Sequence, residues 1–423
     1  MLETLAGKIG AVRDEDSYLE KPASTALKRK FRLAIISTHP IQYHAVWFRA
    51  LSSNPEIDLQ VWYCHRASPK EQAAAGFGVE FDWDIPLLEG YSHGFLQNVA
   101  RNPTVNSFNG LDTPALRQII QAAGYGAVLI NGWHYKSAWQ AMRACWKTGT
   151  PVMVRSDSHL RTERSVLRRA LKWPLYKWFI GRLDACLPAG TWSRDYFLHY
   201  GASEGRVFVV PHIVDGDRLS SQAEAIHSQR NELRSNWELS PDSIVFLFVG
   251  KFIHKKRPFD FLKALEIGKQ TNTRIAGLMV GDGPLKNACE QFAKEHALPV
   301  SFTGFLNQSA IAQAFVAADA LVLPSDGGET WGLVVNEAIS CGLPCFVSDH
   351  VGSGPDIIEN NQAGAVFPLG NTKTLASLLV RFASDEKLRS EMRLQALMMS
   401  RKYSVESAVQ GTLRALESVC GSL

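Results

Sequence analysis

Short, uninterrupted apolar runs alternate with amphipathic stretches along the chain from residue 31 onward. Such runs are typical of parallel strands buried on both faces, and their alternation with helical patterns favours doubly wound α/β sheets. The pattern predicts two series of strands, at 31–37, 58–64, 126–131, 151–155, 183–188 and 206–210, and at 243–250, 274–281, 299–304, 320–325, 344–348 and 364–368. The predicted fold class is therefore α/β, with two Rossmann-like doubly wound parallel sheets.

A polar stretch without an apolar run separates the two series, and open sheets rarely exceed about ten strands, so we expect two domains. The predicted parts are an N-terminal extension, a first Rossmann-like domain, a linker, a second Rossmann-like domain and a closing helix that packs back on the first domain: 1–30, 31–215, 216–241, 242–402 and 403–423. Further helices are predicted at 371–384, 385–400 and 404–419, the last with Ser404 as its N-cap. Because ligands of such sheets bind beyond the carboxyl ends of the strands, the two domains should face each other across one cleft.

The composition fits a folded chain of this kind. The 423 residues are 46% hydrophobic and 20% charged, which excludes a disordered chain or a collagen-like fibre. The seven cysteines have irregular spacings and no CxxC pair, so we expect buried thiols in a reducing compartment rather than disulfides or a zinc site. The net charge of +4 is too small to imply a nucleic-acid partner.

Targeting signals do not stand out in the sequence. No run approaches the roughly 18 apolar residues that are needed to cross a bilayer. The first residues carry Glu3, Asp14, Glu15 and Asp16 where a secretory signal would be basic and then apolar. We therefore predict a cytoplasmic protein with a poorly ordered N-terminal extension.

The strongest candidate chemistry lies in 321–349, which is a buried strand, a glycine-rich turn, a short helix and a second buried strand. If the helix starts near Gly332, Glu329 lies in the loop before it and Glu337 lies within it. Free amides at the start of such a helix favour an anion such as a diphosphate, and a carboxylate in a cleft can accept hydrogen bonds from vicinal hydroxyls. Two glutamates alone would favour a simpler interpretation, as solvated residues at a helix start and on a helix surface.

The residues around this pair shift the interpretation toward function. They are Glu329, Trp331, Gly332, Leu333, Glu337, Ala338, Gly342 and Pro344. This spacing resembles E-x-(F/W)-G-L-x-x-x-E-A-x-x-x-G-x-P, the hallmark of glycosyltransferase family 4, the retaining nucleotide-sugar glycosyltransferases of the GT-B fold. The resemblance is dense over 206–405 and weaker over 31–200. It implies that Glu329 lies against the donor sugar and that Glu337 binds the ribose of the nucleotide.

A cationic run follows the strand at 243–250. Alone it would fit a solvated charge run, although cations at the carboxyl end of a strand can also stabilise a diphosphate leaving group. The family pattern G-R-x-x-x-x-K-G falls on Gly250, Lys251, Lys256 and Arg257. By this resemblance, Lys251 and Lys256 hold the donor phosphates. Lys251 replaces the usual Arg and so provides a point charge in place of bidentate geometry.

Smaller motifs match family positions around the donor. GDGP, with Gly281 and Gly283, is by itself a turn signal, and the resemblance implies that its small residues let the nucleotide approach. FTGFL, with Gly304, matches the segment beside the base. VVPHIVD resembles the turn that closes the first domain, with His212 in place of the usual Asn.

Polar side chains also follow the predicted strands of the first domain. They are His39, His44, His134, Asp157 and His159. At these positions they could contact the sugar or the acceptor, and packing of a histidine in a turn explains them equally well. Relatives often place a polar residue near the sugar after the fourth strand. This makes Asp157 and His159 candidates, without deciding which of them points inward.

The segment 160–182 is basic and aromatic. It contains one acidic residue, Glu163. Its basic residues are Arg161, Arg164, Arg168, Arg169, Lys172, Lys177 and Arg182. Trp173 and Trp178 are interleaved with them, and Pro174 is expected to break or kink the helix. Basic residues beside Trp and Leu suit an anionic membrane surface. The alternative is a helix with one core face and one solvated basic face, and no nucleic-acid-binding motif accompanies the segment.

Together with the resemblance, these features predict a retaining glycosyltransferase. It would move a sugar from a nucleoside diphosphate sugar to a hydroxyl acceptor, lipid-linked at the inner face of the membrane if 160–182 binds there, in glycan, polysaccharide or glycolipid synthesis. The predicted catalytic residues are Glu329, Lys256 and Lys251, and the predicted donor-binding residues are Glu337, Gly250, Gly281, Gly283, Gly304, Trp331, Gly332 and Leu333. No DxD pair is placed to hold a metal, so neither a metal nor a cofactor is expected. The alternatives are a GT-B-type sugar-nucleotide epimerase and a non-catalytic sugar-nucleotide-binding component.

Overall fold

The computed structural model describes residues 30–66, 81–161, 166–359 and 362–422. The predicted N-terminal extension, apart from Lys30, lies outside the described residues, as do Glu163 and Arg164 of the basic segment. The strands of the described residues form two six-stranded sheets. Within each sheet, neighbouring strands pair in parallel. The predicted fold class of two doubly wound α/β domains is thereby confirmed.

The first sheet has the strand order β3-β2-β1-β4-β5-β6. Its strands are β1 Phe31–Ser37, β2 Ile57–Tyr63, β3 His93–Phe95, β4 Ala127–Asn131, β5 Val152–Ser156 and β6 Ala185–Pro188. Its helices are α1 Gln42–Ser53, α2 Leu116–Ala123, α3 Lys136–Thr148, α4 Val166–Ile180 and α5 Thr191–His199. The order reverses between β1 and β4, which is where a doubly wound sheet opens a crevice for a ligand.

The second domain repeats this architecture. Two helices precede its sheet, α6 Gly216–Ile226 and α7 Arg230–Asn236. The strands are β7 Ile244–Val249, β8 Ile275–Val280, β9 Val300–Gly304, β10 Ala320–Leu323, β11 Cys345–Ser348 and β12 Gly364–Phe367, in the order β12-β11-β10-β7-β8-β9. The remaining helices are α8 Pro258–Thr271, α9 Lys286–Glu295, α10 Ile311–Ala317, α11 Leu333–Ser340, α12 Thr372–Ser384, α13 Glu386–Lys402 and α14 Val405–Cys420. Here the order reverses between β7 and β10.

Strand β7 shows why the apolar runs are continuous. Val245 and Leu247 pack in a cluster with residues of α10 and α11, on one face of the sheet. Phe246 and Phe248, which alternate with them, pack with residues of α8 and α12 on the other face. Because helices cover both faces, every position of the strand interior is apolar.

Two strand predictions differ from the structure. Strand β3 was not predicted, because its three residues, HGF, carry no apolar run. The segment 206–210 was predicted as a strand but makes only an isolated bridge, between Val207 and Cys186. It runs along β6 through hydrogen bonds from the amides of Phe208 and Val210, each 2.9 Å long, and carries the chain out of the first domain.

The chain between and after the two sheets is largely helical. The segment predicted as a linker over 216–241 contains α6 and α7, whose sparse apolar residues Leu219 and Leu233 pack into the core of the second domain. The last helix, α14, contributes Leu416 to the core cluster of the first domain. Its predicted N-cap is confirmed, since the Ser404 side chain accepts a hydrogen bond from the Ser407 amide.

Two expectations about single residues are corrected in part. The break expected at Pro174 does not occur, because Pro174 and Ala170 are exposed and water can solvate the carbonyl that loses its partner. All seven cysteines are free thiols within the described residues, but Cys341 is only partly buried and Cys420, at the end of α14, is exposed.

Candidate functional site

A cleft of about 740 Å³ opens between the carboxyl ends of the two sheets, and both domains line it. On the second domain, the cleft lies at the point where the strand order reverses, because the loops after β7 and β10 form its wall. The predicted site residues that line it are His39, Asp157, Gly250, Lys251, Lys256, Gly281, Glu329, Trp331, Gly332, Leu333 and Glu337. Residues as far apart in the sequence as His39 and Glu337 therefore meet in one cavity.

Lys256 and Glu329 form an ion pair in the wall of the cleft. Lys256 ends a short 3₁₀ turn, His254–Lys256, that follows β7, and Glu329 lies in the loop between β10 and α11. The Lys256 Nζ donates to Glu329 Oε2 at 2.5 Å, and both side chains are largely buried. The adjacent strands β7 and β10 thus hold the lysine and the glutamate against each other.

The ion pair keeps Glu329 ionised. Burial by itself would raise the pKa of the Glu329 carboxyl, but the charges of Lys256 and Lys255, with the hydrogen bond from Lys256, outweigh burial and hold the pKa below its ordinary value. At neutral pH this residue is therefore a carboxylate that accepts hydrogen bonds.

Lys251 supplies a second cation to the same wall. Burial lowers the pKa of its ammonium group, and the positive charges of Lys256 and Lys255 lower it further, whereas Glu329 acts in the opposite direction. Three lysines thus share one short segment after β7. Their mutual repulsion is relieved when an anion binds between them.

Glu337 lies within α11, and 4% of its surface is exposed. Burial raises the pKa of its carboxyl to about 7, and Tyr43, Arg218 and Gln308 moderate this rise. The Tyr43 hydroxyl, on α1 of the first domain, donates to Glu337 Oε1 at 3.2 Å. The prediction that Glu337 lies in a helix starting near Gly332 is confirmed, since the observed helix starts at Leu333.

Two glycines allow the backbone to come close at this site. At Gly281, with a φ of +133°, a Cβ atom would lie 2.0 Å from the carbonyl oxygen of Gly250, so the turns after β7 and β8 touch through the main chain. Gly332 is the N-cap of α11 with a φ of +89°, and a Cβ atom there would lie 2.8 Å from the Leu323 side chain. Glycine therefore permits both turns.

Asp157, after β5, connects the first domain to the Glu329 loop. Its Oδ2 accepts a hydrogen bond of 2.7 Å from the hydroxyl of Thr330 and lies 3.5 Å from His212 Nε2. Burial alone would raise the pKa of this carboxyl, but His212, Thr330 and Arg155 outweigh it and hold the pKa well below the usual range. Asp157 is thus an ionised acceptor that fixes the residue next to Glu329.

His212 has its tautomer set by its two neighbours. The guanidinium of Arg155 can only donate, and its Nη2 lies 3.2 Å from His212 Nδ1. His212 Nδ1 is therefore the acceptor, and Nε2 carries the proton toward Asp157. Burial and the positive charge of Arg155 lower the pKa of His212, so the ring is neutral at pH 7.

Trp331 anchors the helix start to the first domain. Its ring lies 5.7 Å from that of His212, and its indole nitrogen donates to Asn336 Oδ1 at 2.8 Å. A Cβ atom at Gly190 would lie 2.4 Å from the indole, so the ring packs directly on the backbone before α5. Glu329 and Thr330 thus precede a residue that is held by both domains.

A short segment of the first domain, 81–86, reaches across the cleft to the second. The ring of Phe81 lies 4.6 Å from that of Phe305, and the Asp84 carboxylate accepts from the amide and the hydroxyl of Ser309 at 3.1 and 2.5 Å. Trp83, between them, lines the cleft. Sequence reasoning missed this segment, because it carries no strand or helix pattern.

Five predicted site residues lie outside the cleft lining. They are His44, His134, His159, Gly283 and Gly304. The ring of His44 packs 5.7 Å from that of Phe48, and burial, followed by Arg155, lowers its pKa well below the usual range. His159 is buried with its ring 5.4 Å from that of Trp192, whereas His134 is exposed.

Gly283 and Gly304, the two glycines that do not line the cleft, support the backbone around it. A Cβ atom at Gly283 would lie 2.9 Å from the backbone of Phe252, so this glycine allows two loops to pack. Gly304 is the last residue of β9, and its carbonyl accepts a hydrogen bond of 2.8 Å from the Gly281 amide. Gly304 therefore supports the turn that lines the cleft.

Tyr43, Thr330 and His212 were not predicted as site residues. The helical spacing gave no signal for Tyr43, because Trp47, one turn later on the same side of α1, packs in the core of the first domain. No signal was available for Thr330 either, whose partner is 173 residues away.

Within the described ranges, no three His, Cys, Asp or Glu side chains come together as metal ligands. In the same ranges, no helix is both long and apolar enough to cross a membrane.

Family models match both halves of the chain. The model for group 1 glycosyl transferases matches residues 229–397, and the model for the glycosyl transferase 4-like domain matches residues 60–212. The first match includes the loops after β7 and β10 and the whole of α11. The chain belongs to glycosyltransferase family 4. The resemblance carried by Glu329 and Glu337 is thereby confirmed at the level of the family.

Curated relatives of this family 4 chain match part of their length. The sulfoquinovosyl transferase SQD2 of Arabidopsis thaliana is 34% identical over 185 residues, which are 43% of this chain and 34% of that protein. A D-inositol 3-phosphate glycosyltransferase of Actinosynnema mirum is 30% identical over 228 residues, which are 51% of this chain and 52% of that protein. The chain thus spans about a third to a half of the length of these relatives.

Solved structures resemble the fold over nearly the whole chain. Anabaena HepE, in complex with UDP and glucose, has a TM-score of 0.64 and 16% identity and covers 91% of this chain and 99% of its own. WaaG, a glycosyltransferase involved in lipopolysaccharide biosynthesis, has a TM-score of 0.61 and 16% identity and covers 92% of this chain and all of its own. Together with the two parallel sheets, these neighbours establish the GT-B fold.

Proposed function

We propose that this protein transfers a sugar from a nucleoside diphosphate sugar to a hydroxyl group of an acceptor, with retention of the anomeric configuration. The observation that carries the proposal is the ion pair between Lys256 and Glu329, at 2.5 Å, in a cleft that both domains line. Glu337, the third member of the site, lies on α11, one turn after the first residue of that helix. The wall supplies cations for a diphosphate and carboxylates for hydroxyl groups.

The donor diphosphate would lie against Lys251, Lys256 and the start of α11. Glu329 holds the Lys256 ammonium group in place, and together with Lys251 and the amides of the helix start it would stabilise the charge that develops when the diphosphate departs. Because these groups supply the positive charge, we propose that transfer needs neither a divalent metal ion nor a cofactor.

The two glutamates would have different roles, which follow from their environments. Glu329 is ionised and accepts hydrogen bonds, so it would orient the hydroxyls of the donor sugar rather than donate a proton. Glu337, with a pKa of about 7, would accept hydrogen bonds from the two ribose hydroxyls when it is ionised. The Tyr43 hydroxyl donates a hydrogen bond to one oxygen of this carboxylate.

Retention follows if acceptor and leaving group occupy the same face of the sugar. The bond between the anomeric carbon and the phosphate oxygen breaks, and a bond from that carbon to the acceptor oxygen forms on the same face. The acceptor proton passes to the departing phosphate oxygen, so no protein side chain is proposed as a nucleophile or general base.

The relatives support a nucleotide-sugar donor. HepE has been solved with UDP and with UDP-glucose, and it shares the two-sheet fold with this chain. We propose that this cleft also binds a nucleoside diphosphate sugar, without assigning the sugar or the base. The lysines and glutamates that line the cleft support this class of ligand. A sugar-nucleotide epimerase would need catalytic acids and no separate acceptor; Glu329 is held ionised, and the spacing of Glu329 and Glu337 matches the glycosyltransferase pattern instead.

Calorimetric titration with UDP, GDP and ADP tests the donor site. We expect one of the three to bind the wild type and to bind Glu337→Gln about tenfold more weakly, since a charged hydrogen-bond acceptor is lost. The matched control is Glu417→Gln, at an exposed glutamate of α14 outside the cleft. Binding of none of the three, or equal affinity of Glu337→Gln and wild type, would remove the assignment.

A further inference from the structure

Helix α4 presents an apolar face to solvent. Leu171, Leu175 and Trp178 are 72%, 48% and 45% exposed. At 100° per residue, these three positions lie within about 60° of one another on the helix surface. Ile180, which is at least 140° away from all three on the helix, is fully buried in the first domain. The exposed side is therefore a second apolar face, beyond what packing against the domain requires.

Cations surround this face. The sequence from 166 to 182 contains five Lys or Arg residues and no Asp or Glu. The Lys177 ammonium lies 4.5 Å above the ring of Trp173, and the Arg182 guanidinium lies 4.7 Å above the ring of Trp178. On the neighbouring helix α3, Arg143 and Lys147 are exposed beside Trp146, whose ring lies 5.5 Å from that of Trp178.

These features favour one occupant. A second copy of the chain, bound through the same face, would bring two cationic surfaces together. Nucleic acid is recognised through phosphates and stacked bases, which leaves exposed leucines without a role. An anionic lipid bilayer accommodates both features, because leucine and indole side chains enter the headgroup boundary while lysine and arginine remain among the headgroup charges.

We propose that the exposed face of α4, formed by Leu171, Leu175 and Trp178 and flanked by Lys177 and Arg182, docks the protein on an anionic membrane surface. Helix α4 leads from the carboxyl end of β5 back to the start of the parallel strand β6, so Trp178 and Arg182 lie toward the edge of the sheet opposite the cleft. The proposal rests on this surface and does not depend on the transfer reaction.

The test is flotation of the full chain with vesicles of phosphatidylcholine, with and without phosphatidylglycerol, in the absence of nucleotide. We expect binding only to vesicles with phosphatidylglycerol, and a loss of binding at high salt. The variant Leu171→Ser/Leu175→Ser should reduce the bound-to-free ratio about tenfold or more, since it removes the apolar contact without changing the charge. A matched control is Leu394→Ser/Met398→Ser, at two residues of α13 that are 59% and 55% exposed.

A charge variant and a fluorescence measurement complete the test. Lys172→Gln/Lys177→Gln should weaken binding at low salt and reduce its salt dependence. Brominated lipid should quench the tryptophan fluorescence of the wild type, and quenching should fall in Trp178→Phe, a variant that keeps an aromatic residue. All variants should retain the circular dichroism spectrum of the wild type.

Two results would overturn the proposal. One is the absence of flotation with any vesicle, or flotation that is unaffected by phosphatidylglycerol and by salt. The other is an equal loss of binding in the α4 and α13 serine variants. Because no donor or acceptor is present, either result would leave the proposed transferase activity intact.

Discussion

The hydroxyl of Tyr43 donates a hydrogen bond to Glu337 at 3.2 Å, across the cleft between the two domains. Tyr43 belongs to α1 and Glu337 to α11, so the carboxylate proposed to hold the ribose accepts a hydrogen bond from the opposite domain. The hydrogen bond favours the ionised form of Glu337, whose pKa burial raises to about 7. The state of this carboxyl near neutral pH thus depends on both domains.

Donor affinity should rise with pH around neutrality. Glu337 has a pKa of about 7 and becomes a carboxylate as the pH increases, so hydrogen bonds from the ribose hydroxyls strengthen in that direction. Titrations with a nucleoside diphosphate sugar should show tighter binding at about pH 8 than at about pH 6. In Glu337→Gln the dependence should flatten, and in Tyr43→Phe its midpoint should move to higher pH. A pH profile identical in Glu337→Gln and wild type would assign the effect to another group.

Replacement of Lys256 should reduce turnover more than donor affinity. Its ammonium group is fixed by Glu329 beside the expected diphosphate, and removal of a positioned electrostatic stabiliser costs about 10²–10³ in kcat. The measurement is steady-state kinetics of Lys256→Ala. The control is Lys255→Ala, which removes the same charge from the same turn but no hydrogen bond to Glu329. Similar losses in both variants would mean that overall charge, rather than the ion pair, is what counts.

Thr330 should act through the position of the neighbouring Glu329. Its hydroxyl donates to Asp157 at 2.7 Å and ties the loop to the first domain. Thr330→Val keeps the shape but loses the hydrogen bond, so we expect a loss of about 1 kcal/mol in the free energy of unfolding. We also expect kcat to fall several-fold with little change in nucleotide affinity. Thr330→Ser should retain the wild-type kcat, and failure of this rescue would argue against the hydroxyl as the cause.

The segment 81–86 should control how long a donor stays bound. Asp84 accepts two hydrogen bonds from Ser309, and the segment covers part of the cleft through Trp83. Asp84→Ala should release this bridge and raise the dissociation rate of the nucleotide about fivefold, as expected for the loss of such contacts. Stopped-flow measurements can use Asp82→Ala as the control, since the backbone carbonyl of Asp82, not its side chain, meets Asn307. Unchanged dissociation in Asp84→Ala would show that the segment has no gating role.

The α/β architecture could be predicted because each strand carries its own signal. An apolar run such as that of β7 is buried on both faces, and the signal does not depend on residues elsewhere in the chain. The three-residue strand β3 lacked such a signal, because its place at the edge of the sheet is set by pairing with β2. Its register therefore comes from tertiary contacts.

The donor side of the site could be predicted for a similar reason. Glu329, Glu337 and the lysines after β7 lie in short motifs whose spacing is visible in the sequence. The contacts from the first domain could not be read in this way, since Tyr43 is 294 residues from its partner and Asp157 is 173 residues from Thr330. Such pairs are defined only when the two sheets face each other.

The central claim is tested most directly by the release of nucleoside diphosphate from a panel of UDP-, GDP- and ADP-sugars, measured with a chelator present. We predict slow hydrolysis of one donor by the wild type, release of the sugar with its original anomeric configuration, and a rate about 10²-fold lower in Lys256→Ala. Equal rates in the two proteins, inversion of the anomeric centre, or dependence on added metal ions would contradict this account.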